Sequence, residues 1–100
     1  MTPKINIQAP WEVNEYLRQV ITEKVEKLST YNNKIIHADV FLKNGTHTGI
    51  DDKTIEIRLR LNGPDYFAQS SAITFEKAVT SAAEKLRKQL IKKKEQYMKK

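Results

Sequence analysis

The 100-residue sequence contains no cysteine, only two histidines and no apolar run long enough to cross a bilayer, which takes roughly 20 residues as a helix. Without cysteine there is no disulfide framework, no thiol nucleophile and no Cys-ligated metal, and the cytosol is the default compartment. The opening MTPKINIQAP has neither the apolar stretch of a secretory signal nor the Arg/Ser-rich, acid-poor character of a transit peptide, so a cytoplasmic protein without a membrane partner is expected. His37 and His47 come with no HExxH spacing and no phosphate-cradling glycine loop. Asp51 and Asp52 lack the alternating ligands of a calcium loop and read as solvated turn residues. These gaps argue against an enzyme and imply no cofactor or metal. What remains, 39% hydrophobic and 30% charged residues over 100 positions, suits one ordinary globular domain spanning residues 1–100.

Acidic residues are missing from one place in particular. From Lys85 to Lys100 there are eight basic residues against the single acid Glu95, a local charge of +7. The preceding 84 residues hold ten bases and eleven acids, so the formal net charge of +6 belongs to the last sixth of the chain. Such a concentrated field attracts polyanions.

The periodicities place that field on a helix. Lys4 to Gln8 alternates, with Ile5 and Ile7 inward, as a short strand. Asn14 is a good N-cap, Glu15 puts negative charge in the first turn, and Leu17, Val20, Ile21, Val25 and Leu28 form one helical stripe to about Thr30. The turn-prone Tyr31-Asn32-Asn33-Lys34 ends it. A second strand follows from Ile35 to Lys43, with Ile36, Ala38, Val40 and Leu42 on one face and His37, Asp39, Phe41 and Lys43 on the other. Beyond the loop that opens at Asn44-Gly45, Thr54 to Leu61 alternates Ile55, Ile57, Leu59 and Leu61 against polar residues. After the turn Asn62-Gly63-Pro64-Asp65, a fourth strand runs from Tyr66 to about Ala72 and returns antiparallel. Thr74 then caps the longest element, a helix to Tyr97 whose apolar arc is Phe75, Ala78, Val79, Ala82, Ala83, Leu86 and Leu90. On an ideal helix Lys77, Lys85, Lys88, Lys92 and Lys99 fall within roughly 60 degrees on nearly the opposite side. The order β-α-β-β-β-α predicts an α+β two-layer sandwich, a four-stranded sheet with both helices on one face.

A lysine-rich helix end is often a solubility device that also complements the helix dipole. Eight bases in sixteen residues exceed that need, because self-repulsion costs stability unless a polyanion is present. RNA is the polyanion favoured. A sheet-based reader of bases would display stacked aromatics, and Phe41 is the only large aromatic that alternation clearly places on the open face. In the first helix Arg18, Lys24 and Lys27 add charge. Lys24 lies within the apolar stripe and is expected to pack its stem while the ammonium reaches water. If the helices lie side by side, Lys24 and Lys27 join Lys85, Lys88 and Lys92 around one groove, binding phosphates with strong salt dependence and little base reading. A general double-stranded RNA-binding module and an adaptor for an acidic protein surface are the alternatives.

Three runs also resemble the ribosome hibernation-promoting and ribosome-associated inhibitor family, of the sigma-54 modulation type. They are Ile5 to Gln8 (INIQ), Leu17 to Leu28 (LRQVITEKVEKL) and Glu84 to Lys94 (EKLRKQLIKKK), in matching order and spacing along nearly the whole chain. The resemblance implies the same β-α-β-β-β-α fold and binding to the small ribosomal subunit where messenger and transfer RNAs sit, which silences idle ribosomes. It implies a protein that is monomeric off the ribosome and makes contact through Arg18, Lys24, Lys27, Lys85, Lys88, Lys92 and Lys94. Thr74-Phe75-Glu76 stands where the family often carries an acidic-Met-Tyr run, and Gly63-Pro64-Asp65 replaces its usual Gly-Gly-Glu turn. Contacts made by those motifs are therefore not carried over.

Overall fold

A computed structural model of the chain describes residues 3–44 and 52–98, and side chains as far as Lys92. The elements are β1 (Lys4–Gln8), α1 (Glu15–Lys27), a 3-10 turn (Leu28–Thr30), β2 (Ile35–Asn44), β3 (Lys53–Leu61), β4 (Tyr66–Ala72) and α2 (Phe75–Met98). Asn14 Oδ1 accepts from the Leu17 amide at 2.8 Å, and Thr74 Oγ1 accepts from the Lys77 amide at 3.2 Å. Both helices therefore start at the side chains expected to satisfy their first free N–H groups.

The sheet order is β1-β2-β3-β4, with β1 parallel to β2 and the other neighbours antiparallel. The β1-α1-β2 crossover and the return through β4 make α1 and α2 run in the same direction over one face. Trp11 and Phe75 meet at 5.5 Å between ring centroids where the two helices begin, and Tyr16 donates to Glu76 Oε2 at 3.4 Å beside them. Ile21, Val25 and Leu28 from α1 and its turn, and Val79, Ala82, Leu86 and Leu90 from α2, close over Val40, Ile55, Ile57 and Leu59 as one buried cluster. The Asn62–Asp65 turn between β3 and β4 holds Gly63 at φ 128°, a conformation side chains resist, so glycine fits there.

One strand residue departs from strict alternation. Ile36, expected inward beside Ala38, is 45% exposed, whereas Ile35 is buried. The pairing of β2 with β3 shifts register between Ile35 and His37, and this bulge turns the extra residue outward. The open face of the sheet differs too. Phe67 shares it with Phe41, and Arg58 lies 5.9 Å from the Phe67 ring centroid.

Candidate nucleic-acid interface

The outer layer of the molecule is set by which flank of α2 each residue occupies. Taking Leu86 as the centre of the buried face, Lys85 lies about 100° to one side and Arg87 about 100° to the other. The Lys85 flank meets β4, the free edge of the sheet on that side. Ser81 there shares a hydrogen bond with Ser70 at 2.7 Å, Lys85 Nζ donates to the Gln69 carbonyl at 2.7 Å, and Gln89 donates to the Phe67 carbonyl at 3.0 Å. Lys85 and Gln89 thereby occupy carbonyls that a bare edge strand offers to other chains.

The Arg87 flank meets α1. Lys24, Lys27, Leu28 and Tyr31 from α1 and its turn, with Thr80, Ala83, Glu84 and Arg87 from α2, line a groove of about 340 Å³. Ala83 and Leu28 are its apolar floor, and the small side chain at Ala83 leaves the space open. Lys24 is half-buried, in keeping with its place in the apolar stripe, and Lys27 is exposed. Arg87 Nε donates to both carboxylate oxygens of Glu84 at 3.0 Å, and its Nη2 also contacts Oε1. This hydrogen bond holds the Glu84 carboxyl below the usual carboxylate range, with a smaller through-space contribution from Lys88. Reciprocally, Glu84 and then Tyr31 raise the already high pKa of Arg87.

The expected site residues are thus distributed rather than gathered into one groove. Lys24 and Lys27 line it, but Lys85, Lys88 and Lys92 do not. Lys85 is turned to the β4 edge, whereas Lys88 and Lys92 are exposed along the outer ridge of α2. Arg18 sits on the flank of α1 away from α2, its Nε donating to the Val13 carbonyl at 3.3 Å. The side chain of Lys94 lies outside the described residues, as do His47, Asp51 and Lys99. Arg87 is the groove cation that charge counting alone did not single out. Its signal is the flank it shares with Thr80 and Ala83, which faces a neighbouring helix. Among the described residues no group of three His, Cys, Asp or Glu is placed to hold a metal ion, and no helix is long and apolar enough to cross a membrane.

Residues 5–98 match the family model described as Sigma 54 modulation protein / S30EA ribosomal protein. The chain belongs to that family. It is the ribosome-associated group that the three sequence runs resemble. No curated protein sequence matches the chain significantly. Solved structures with the same fold include a ribosomal subunit interface protein from Coxiella burnetii, with TM-score 0.77 and 21% identity over 91% of this chain and 97% of that one. Another is the N-terminal domain of Protein Y from Thermus thermophilus, with TM-score 0.72 and 21% identity over 90% of this chain and 96% of that one.

Proposed function

We propose that this chain is a non-catalytic hibernation factor, a single cytoplasmic ribosome-binding unit and a monomer off the ribosome. It binds small-subunit ribosomal RNA in the decoding and intersubunit region and represses translation by idle ribosomes. Family membership supplies the ribosome. The observation that carries the RNA contact is the cationic outer layer of the two helices, where Lys24, Lys27 and Arg87 converge on a groove and Lys88 and Lys92 stand on the ridge beside it. Such a surface meets phosphates by Coulomb attraction and counterion release and does not read base edges. The Coxiella burnetii relative is described as a ribosomal subunit interface protein, which agrees with this placement.

Five cations, one of them opposed by Glu84, give a net neutralisation of about four phosphates, which implies a salt slope near −3.6 and a roughly 150-fold loss of affinity between 50 and 200 mM salt. Sedimentation of purified ribosomes and isolated subunits with the protein tests the proposal. Co-sedimentation with small subunits at low salt, lost steeply as salt rises, is expected. A folded protein left in the supernatant at low salt overturns the reading, and equal affinity for an arbitrary RNA duplex replaces it with general duplex binding.

A further inference from the structure

We propose that the interhelical groove is a site for one backbone phosphate of the bound RNA, and that the Glu84 carboxylate holds that anion's place on Arg87 until RNA displaces it. This inference rests on the RNA-binding reading and goes beyond it by naming a specific site and the group that guards it.

A guanidinium presents its donors as a planar fork that fits a carboxylate and a phosphate equally well. In the free protein this fork is taken up by Glu84, with Nε donating to both oxygens at 3.0 Å. The surroundings are built for an anion larger than the one supplied. Across the groove stand Lys24 and Lys27, and the floor of Leu28 and Ala83 leaves about 340 Å³ above it. Tyr31 lines the same groove. Three cations face a single acid, so the groove retains a charge of +2 after Glu84 is counted.

Glu84 is itself exposed, so its carboxylate can rotate into water when a phosphate arrives. The exchange breaks one exposed ion pair and forms contacts from the phosphate to Arg87, with Lys24 and Lys27 alongside. Isolated anions gain little from it, because they must replace an intramolecular partner already at high effective concentration. A phosphate carried by an RNA that is also held on the Lys88 and Lys92 ridge has the same advantage of proximity. The guard therefore favours a polyanion that spans both features over small anions.

The test is equilibrium binding of purified small subunits at several salt concentrations to the full chain and to Glu84→Gln, Arg87→Gln and the double variant, with a thermal melt of each. Gln preserves helix propensity at both positions. Glu84→Gln is expected to bind about two- to fivefold tighter, the range typical of an exposed ion pair. It should also steepen the salt slope by up to about one unit, because the carboxylate freed in the wild type takes up a cation that offsets one released from the RNA, and Gln does not. Arg87→Gln should bind more weakly, and adding Glu84→Gln to it should change little. An equal gain in both backgrounds would mean that Glu84 acts only as a diffuse negative charge. No gain in either would mean that it does not occupy the site. Either result overturns the proposal while wild-type binding keeps the ribosomal reading, whereas a wild type that fails to bind small subunits overturns both.

Discussion

Lys85, Lys88 and Lys92 are neighbours in sequence and helical projection, yet the structure gives them different tasks, and paired substitutions separate them. Lys88 and Lys92 are exposed on the outer ridge with no hydrogen-bond partner among the described residues, so Lys88→Gln/Lys92→Gln should leave packing intact and melt within about 2 °C of wild type. If each contacts a phosphate, the salt slope should fall by about 1.8 units, which corresponds to roughly 30-fold weaker ribosome binding at 0.15 M salt. Lys85 has the opposite expectation. Its ammonium donates to the Gln69 carbonyl at 2.7 Å, so Lys85→Met keeps the aliphatic stem and removes the donor. For an exposed charge-assisted bond the loss is about 0.5–1 kcal/mol, a decrease of about 2–8 °C in melting temperature for a domain of this size. Ribosome affinity at temperatures where it is folded should change far less than in the ridge variant. The measurements are thermal denaturation by circular dichroism and binding isotherms at four salt concentrations. A ridge variant with wild-type slope would refute the interface, and a Lys85→Met protein that melts normally but loses the same affinity as the ridge variant would refute the division of labour.

Two further outcomes follow from the core and from the groove. Leu86 is fully buried beneath α2, so Leu86→Ala should cost about 2–5 kcal/mol, seen as a lower urea midpoint with unchanged slope of the transition. The Glu84 carboxyl, held down by Arg87, should titrate by NMR below the ordinary carboxylate range, and Arg87→Gln should move its midpoint back up. Because the folded-state value is the depressed one, the pair's stabilising contribution is present at neutral pH and is lost as pH falls through that lowered midpoint. A midpoint that does not respond to Arg87→Gln would show that the fork is not populated in solution.

The fold was legible because local signals agreed. Asn14 and Thr74 are caps whose side chains do accept the expected amides, and Ile55, Ile57 and Leu59 alternate cleanly into the core. Ile36 was misread because a bulge inserts a residue without changing composition, so a period-two count cannot locate it. Phe67 escaped notice because the weak apolar content of β4 gives little basis for assigning faces. The site was legible only in part. A helical projection shows that Lys85, Lys88 and Lys92 share a sector, but not which neighbour borders it. That depends on α2 lying between α1 and the β4 edge, a tertiary fact. Arg87 forms an i,i+3 pair with Glu84, and the lysines that oppose it become visible only when α1 is laid beside α2.

That placement changes what the charge of the second helix means. Around α2, Val79, Leu86 and Leu90 face the core, Ser81, Lys85 and Gln89 secure β4, and Thr80, Ala83, Glu84 and Arg87 face α1. Of the four described cations from Lys85 to Lys92, one is spent on a strand carbonyl and another on a carboxylate. Among the described residues only Lys88 and Lys92 of these four have no hydrogen-bond or ion-pair partner, and Lys88 acts in addition on Glu84 through space. The local +7 therefore overstates the charge immediately available to a phosphate. The same division helps such a run of bases to be tolerated in the folded protein: the four described ones occupy different flanks, and two are already paired. Recognition by this surface should then depend on an RNA whose phosphates lie on both the ridge and the groove, since neither feature alone collects enough cations for tight binding at physiological salt.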